Sequence, residues 1–112
     1  MRGESAMMID KWGKYIVPDE CAKAIKLNGG KPIACFRKSY ENRFVTVISS
    51  LDPSGPKGIR ELHVSISAAD MNGFVAPTES EIEEAAILCG LSLASAVQTQ
   101  GKKAVHLWGS AQ

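Results

Sequence analysis

The chain has 112 residues and a mass of 12.0 kDa, the size of one domain, so residues 1–112 are interpreted as a single unit. A content of 45% hydrophobic and 22% charged residues argues against disorder and low-complexity repeats. No apolar stretch approaches the roughly 18 residues of a membrane-spanning helix, and a net charge of +1 predicts no strong attraction to nucleic acid or membranes.

The first part of the chain gives the weakest structural signals. Residues 1–17 are expected to be irregular or to cover the sheet. Pro18-Asp19-Glu20 is a typical helix start and Gly29 a typical stop, which favours a short helix over 18–29. Asn28-Gly29 between apolar residues is also a hairpin signal, so a hairpin remains the alternative at this point.

Three strand-like runs follow, over 33–40, 44–50 and 61–67. The second is rich in β-branched residues, and the third alternates strictly between apolar and polar positions. The turn Glu41-Asn42 and a loop with two prolines and two glycines over 52–58 separate the runs, which predicts a three-stranded antiparallel meander.

A helix is predicted to begin at Thr78. Thr78 and Glu81 match a capping box, in which each side chain accepts a hydrogen bond from the other residue's backbone N–H. Gly101 is a natural stop, so the helix is expected to run to about Gln100, with a bend at Gly90. The apolar residues at helical spacing are Ile82, Ala86, Cys89, Leu93, Ala96 and Val97.

A short alternating strand over 104–108 closes the chain. The expected fold is α+β: a two-layer sandwich of a mainly antiparallel sheet of about four strands and one long helix, in the order short helix-β-β-β-α-β. The side chains expected to face the helix are Leu62, Val64, Ile66, Val105 and Leu107.

The two histidines are the clearest candidate site. Alternation places His63, Ser65 and Ser67 on the side of their strand away from the core, and it places His106 and Trp108 on the corresponding side of the last strand. If these two strands are neighbours, the histidines meet on the open face of the sheet. Two strand histidines without any special role are the simpler alternative.

The segment His63-Val64-Ser65 resembles one of the paired His-x-Ser/Thr motifs of the two-histidine phosphoesterases. That resemblance implies catalytic roles for His63, Ser65 and His106, which would hold a phosphate and act as acid and base. The second motif is incomplete, because Trp108 stands where the hydroxyl residue is expected.

A second resemblance covers about residues 60–109. The strand 62–67 with its His-x-Ser-x-Ser pattern, the helix start 77–81 with Pro-Thr-x-x-Glu, and the closing His-Leu-Trp of 106–108 resemble a family of small uncharacterised phage and prophage proteins. The resemblance implies an intracellular, phage-related accessory protein. It implies no particular activity.

Together these patterns favour a binding protein over an enzyme. The expected partner is a host or phage protein, with Trp108 as the aromatic anchor and His63, His106 and Ser67 around it. A homodimer packed through the open sheet face is expected as well. Three separated cysteines fit a reducing compartment, hence the host cytoplasm.

Neither a cofactor nor a metal is expected, since two histidines and no CxxC pair fit no common structural zinc site. Nucleic-acid binding is the third alternative. It would use the basic side chains among residues 23–43, but the small net charge offers little attraction for phosphates.

Overall fold

The computed structural model describes residues 11–111. Strands hold more than twice as many of these residues as the two short helices do. A single 3-10 turn over Leu93–Ser95 follows the second helix. In chain order the elements are β1 (Trp12–Tyr15), α1 (Asp19–Leu27), β2 (Lys31–Ser39), β3 (Arg43–Asp52), β4 (Glu61–Asp70), β5 (Gly73–Val75), α2 (Glu79–Cys89), β6 (Val97–Gln100) and β7 (Val105–Gly109).

All seven strands belong to one antiparallel sheet, in the order β1-β2-β3-β4-β7-β6, with β5 paired to the far end of β4. The predicted meander is present as β2, β3 and β4. The last strand lies beside β4, where Ser65 is opposite His106. Neither helix in this part of the chain is long and apolar enough to cross a membrane.

The prediction of about four strands and one long helix is wrong. The second helix ends at Cys89, because Gly90 adopts a left-handed conformation with φ 68° and acts as its C-cap. The chain then turns, and the segment that was expected to be the helix's last turn forms β6, which makes a hairpin with β7. The short strands β1 and β5 were not expected either.

The predicted start of α2 is confirmed. The Thr78 hydroxyl accepts a hydrogen bond from the Glu81 backbone N–H at 3.1 Å, and the Glu81 carboxylate accepts one from the Thr78 N–H at 2.9 Å. Arg43 of β3 donates two hydrogen bonds to the same carboxylate, at 2.7 and 3.0 Å. Burial raises the pKa of Glu81, but the bonds from Arg43 and Thr78 outweigh it, so the net pKa is lowered.

The hydrophobic core lies between α2 and one face of the sheet. The five residues predicted to point inward are all buried. Small residues of α2, Ala85 and Ala86, let the helix approach the strands closely, and Leu91 completes the core just after the helix. The core members are Val45, Val47, Leu62, Val64, Ile66, Ala68, Ala85, Ala86, Leu91 and Leu107.

The opposite face of the sheet is only partly covered. The predicted short helix is present as α1, which packs beside β2 and buries none of its own residues completely. Beneath it, Cys35 of β2 is fully buried. Beside α1 this face carries His63, then His106 and Trp108, and at its far end two exposed phenylalanines.

Replacing Arg43 should destabilise the protein more than removing the helix cap. Thr78→Ala should lower the free energy of unfolding by about 0.5–2 kcal/mol, as the loss of an N-cap does. Arg43→Ala leaves the buried Glu81 carboxylate without its cation and should cost about 3 kcal/mol. Urea denaturation at neutral pH measures both, and equal losses for the two variants would contradict this account of Glu81.

Candidate functional site

His63 and His106 form a direct hydrogen bond. The Nε2 atom of His63 lies 2.9 Å from Nδ1 of His106, and the ring centroids are 5.1 Å apart. The pairing of β4 with β7 produces this contact, because His106 is opposite Ser65 and Trp108 is opposite His63. The sequence prediction that the histidines meet if the two strands are neighbours is therefore confirmed.

Trp108 lies against the histidine pair and is not exposed. Its ring stacks on His63 with centroids 4.0 Å apart, and its indole N–H donates to the Thr99 hydroxyl at 3.1 Å. Only 8% of its surface is accessible. The expectation of Trp108 as an exposed anchor is wrong, because the ring is buried and has little surface left for a partner.

The loop between β3 and β4 covers Trp108, and this depends on Gly55. A Cβ atom at Gly55 would lie 2.5 Å from Cε3 of Trp108, so only glycine allows the backbone to approach the ring this closely. The sequence marked this loop as a turn but gave no sign of what it would touch.

Two buried carboxylates stand at the ends of this loop. Asp52 and Glu61 are opposite each other at the end of the β3–β4 pair. One oxygen of Asp52 accepts a hydrogen bond from the Ser54 N–H at 2.8 Å, and the other lies 3.9 Å from Nδ1 of His63. One carboxylate oxygen of Glu61 is buried without a hydrogen-bond partner among residues 11–111. No sequence pattern marked either acid, although strand register alone places the Asp52–Glu61 pair two pairs from His63, on the same face of the sheet.

Burial keeps the histidine pair neutral at ordinary pH. Burial, and next the neighbouring His106, lower the pKa of His63 to about 4 against a smaller opposing effect of Asp52. Burial also lowers the pKa of His106. Two neutral rings satisfy each other, because one ring nitrogen donates its proton and the facing nitrogen accepts it.

This geometry does not support the phosphoesterase interpretation. The facing nitrogens of His63 and His106 are hydrogen-bonded to each other, which leaves no gap between them for a phosphate. Ser50 lies 3.5 Å from the other nitrogen of His63, on the Asp52 side, so the residues do not form a nucleophile–base–acid triad.

A cleft of about 210 Å³ does open beside His63, between α1 and the sheet. Ser65 lines this cleft, together with apolar side chains such as Ile25 and Ile48. No lysine or arginine of residues 11–111 lines it, so these residues do not give it the positive charge that a phosphate requires. Within the described residues, no group of three or more His, Cys, Asp or Glu side chains is placed to hold a metal ion.

Ser67 is the remaining predicted binding residue. It follows Ser65 on the same face of β4, lies opposite Thr46, and precedes Ala69 near the end of the strand. Beyond it, Phe44, Ala69 and Phe74 stand side by side on β3, β4 and β5. Both phenylalanines are 57% exposed. We call these three residues the phenylalanine patch. The sequence analysis did not single out this patch, because β5 was not predicted.

The comparisons with known proteins identify no relative. No family model matches the chain, and no curated protein or solved structure matches it significantly. The resemblance to small phage proteins therefore stays a prediction.

The histidine pair should make the protein less stable in acid. Because the folded-state pKa of His63 is about 4 and its unfolded value is near 6.5, the unfolded state binds the proton more readily between these two values. Stability from this group is complete above about pH 6.5 and falls as the pH drops towards 4, by about 3 kcal/mol in all. His63→Gln keeps a hydrogen-bonding side chain but cannot titrate. Urea denaturation between pH 7.5 and 4 should give a flatter profile for this variant, and parallel profiles would contradict the prediction.

The contact between Gly55 and Trp108 is testable by fluorescence. Gly55→Ala should displace the loop, expose the Trp108 indole and shift its emission to longer wavelength, with a loss of about 1–3 kcal/mol from overpacking. Ser54→Ala, which leaves the Ser54 N–H bond to Asp52 in place, is the matched control. An unchanged spectrum and an unchanged free energy of unfolding for Gly55→Ala would show that the loop does not depend on this contact.

Proposed function

We propose that the chain is a non-catalytic protein-binding module whose docking surface is the phenylalanine patch. The observation that supports this proposal is the exposure of two phenylalanines close to one another on a part of the sheet that neither of the described helices covers. Contiguous exposed apolar surface of this kind is uncommon in a protein that has no partner.

The patch has a shape suited to one apolar side chain. Phe44 and Phe74 flank Ala69 in register, so a small residue lies between two large ones. The phenylalanine backbones are two strand spacings apart, roughly 10 Å, and the small side chain of Ala69 lies between them. The helix α1 packs over the opposite end of the sheet and leaves this end open.

The charges around the patch favour an acidic partner. The ammonium group of Lys103 lies 5.1 Å from the centre of the Phe74 ring. Arg37 of β2 lies opposite Thr46 on the same face of the sheet and is exposed. We therefore propose a partner segment that carries an aliphatic or aromatic side chain next to Asp or Glu. Such charges speed association and determine orientation.

The proposal includes an accessory role in a reducing compartment, as the sequence suggests. Its support is that all three cysteines are free thiols. Burial raises the pKa of Cys89 to about 11 and also raises the pKa of Cys35, so neither is an activated nucleophile.

Selection from a displayed library of random peptides tests the docking surface. The wild-type chain should enrich peptides that combine an apolar residue with a neighbouring carboxylate. The double variant Phe44→Ser/Phe74→Ser should bind them at least tenfold more weakly in titration calorimetry, because the anchor contacts are lost. Leu27→Ser, which changes a residue of α1 that is 86% exposed, is the control and should bind normally.

Three results would contradict the proposal. The first is that the library enriches no peptide, and the second is that the selected peptides bind the double variant as tightly as the wild type. The third is that sedimentation shows a dimer that the double variant abolishes. The last result would assign the patch to a second copy of the chain. Thermal melts of both variants check folding, which should be unaffected because the replaced side chains are more than half exposed.

A further inference from the structure

We infer that the free edge of β6, together with the cleft between β6 and α2, binds an extended peptide that adds a strand to the sheet. The peptide would place an aliphatic side chain in the cleft and a lysine or arginine beside it. This site is separate from the phenylalanine patch and uses none of its residues, so the two can be tested independently.

The edge of β6 offers unpaired backbone groups. Among the described strands, β6 pairs only with β7. The hydrogen bond from Gly101 N–H to the Ala104 carbonyl, 2.8 Å long, marks that pair as hydrogen-bonded. Because such pairs alternate along an antiparallel ladder, the backbone groups of Gln98 and Gln100 point away from β7. An added strand would meet two N–H and two carbonyl groups.

The sequence of β6 does not protect this edge. Edge strands are commonly protected from pairing by lysine, proline or a bulge. The four residues Val97–Gln100 contain neither lysine nor proline, and their register with β7 is regular. An unprotected edge favours strand addition by a partner.

A cleft of about 310 Å³ runs beside this edge, on the side of the sheet that carries α2. Ile82 of α2, Leu93 and Ala96 of the connection and Leu107 of β7 form its apolar lining. Gln98 also lines it, so the residue of an added strand directly opposite Gln98 would point into the same cleft. An aliphatic side chain therefore fits this position.

Two glutamates give the cleft its charge preference. Glu79 and Glu83 lie one helical turn apart on α2, and both are exposed at the cleft. The ion pairs of α2 involve Glu81 and Glu84, whereas neither Glu79 nor Glu83 is paired with a cation among residues 11–111. A basic residue in the peptide would supply the missing charge. The acidic segments proposed for the phenylalanine patch would be repelled here.

The probes for the test are two short blocked peptides of equal length, one alternating lysine with isoleucine and valine, the other with glutamate in place of lysine. Titration of the ¹⁵N-labelled chain followed by NMR should show the basic peptide shifting the Gln98 and Gln100 amides and slowing their hydrogen exchange. The acidic peptide should leave these amides unchanged.

Matched variants separate strand addition from other modes of binding. Gln98→Pro removes the outward N–H and should weaken binding of the basic peptide at least tenfold, whereas Leu27→Ser, which changes an exposed residue of α1 outside the cleft, should bind normally. Glu79→Lys/Glu83→Lys, which changes only exposed residues, should also weaken binding at least tenfold and does not depend on the fold tolerating a proline.

The inference is overturned if neither amide shifts, if both peptides shift them equally, or if the double charge variant binds the basic peptide as the wild type does. Amide shifts confined to Phe44 and Phe74 would overturn it and leave the proposed function standing. Amide shifts at β6, with no peptide bound at the phenylalanine patch, would support this inference and contradict the proposed function.

Discussion

The structure depends on the pairing of β4 with β3 on one side and β7 on the other. This central strand alternates so strictly that one register fixes both faces of the sheet: Leu62, Val64 and Ile66 enter the core under α2, and His63 and Ser65 face the other way. A slip of one residue would bury the polar set and expose the apolar one, so register is strongly determined by burial. The histidine hydrogen bond, the stacking of Trp108 and the facing pair Asp52 and Glu61 all follow from that register.

The parts of the fold that were predictable are those in which local pattern and tertiary packing agree. The meander, the capping box at Thr78 and the meeting of the histidines rest on alternation and capping chemistry that operate over a few residues. The length of α2 was not predictable in the same way, since apolar residues at helical spacing continue beyond Gly90. In the folded chain Gly90 ends the helix, and the buried residue that follows it is Leu91 rather than the next member of the helical stripe. The apolar residues after Gly90 fit helical spacing, but residues 97–100 can also form a strand. Their pairing with β7 determines that they do.

Burial of Trp108 illustrates a second limit. Its strand and its face were both predictable, and an aromatic residue on an open sheet face was a reasonable anchor. What covers it is an eight-residue connection whose path depends on one glycine approaching the ring, a contact between segments that no local pattern encodes. The result is a largely buried cluster in which the imidazoles satisfy each other, and in which one carboxylate oxygen of Glu61 lies buried without a partner in the described part of the chain. The meeting of the two histidines was therefore predictable from alternation, whereas the burial of Trp108 was not.

The histidine cluster and the two proposed binding surfaces lie in different parts of the sheet. The imidazole pair, Trp108 and the covering loop hold β4, β7 and the β3–β4 connection together at one end of the sheet, and they leave little surface for a ligand. The exposed features lie elsewhere: the phenylalanine patch at the far end of β4, and the edge of β6 beside α2. Both surfaces are built on strands that pair directly with β4 or β7. A surface held by such pairing loses less conformational entropy when a partner binds, which favours docking at the two proposed surfaces.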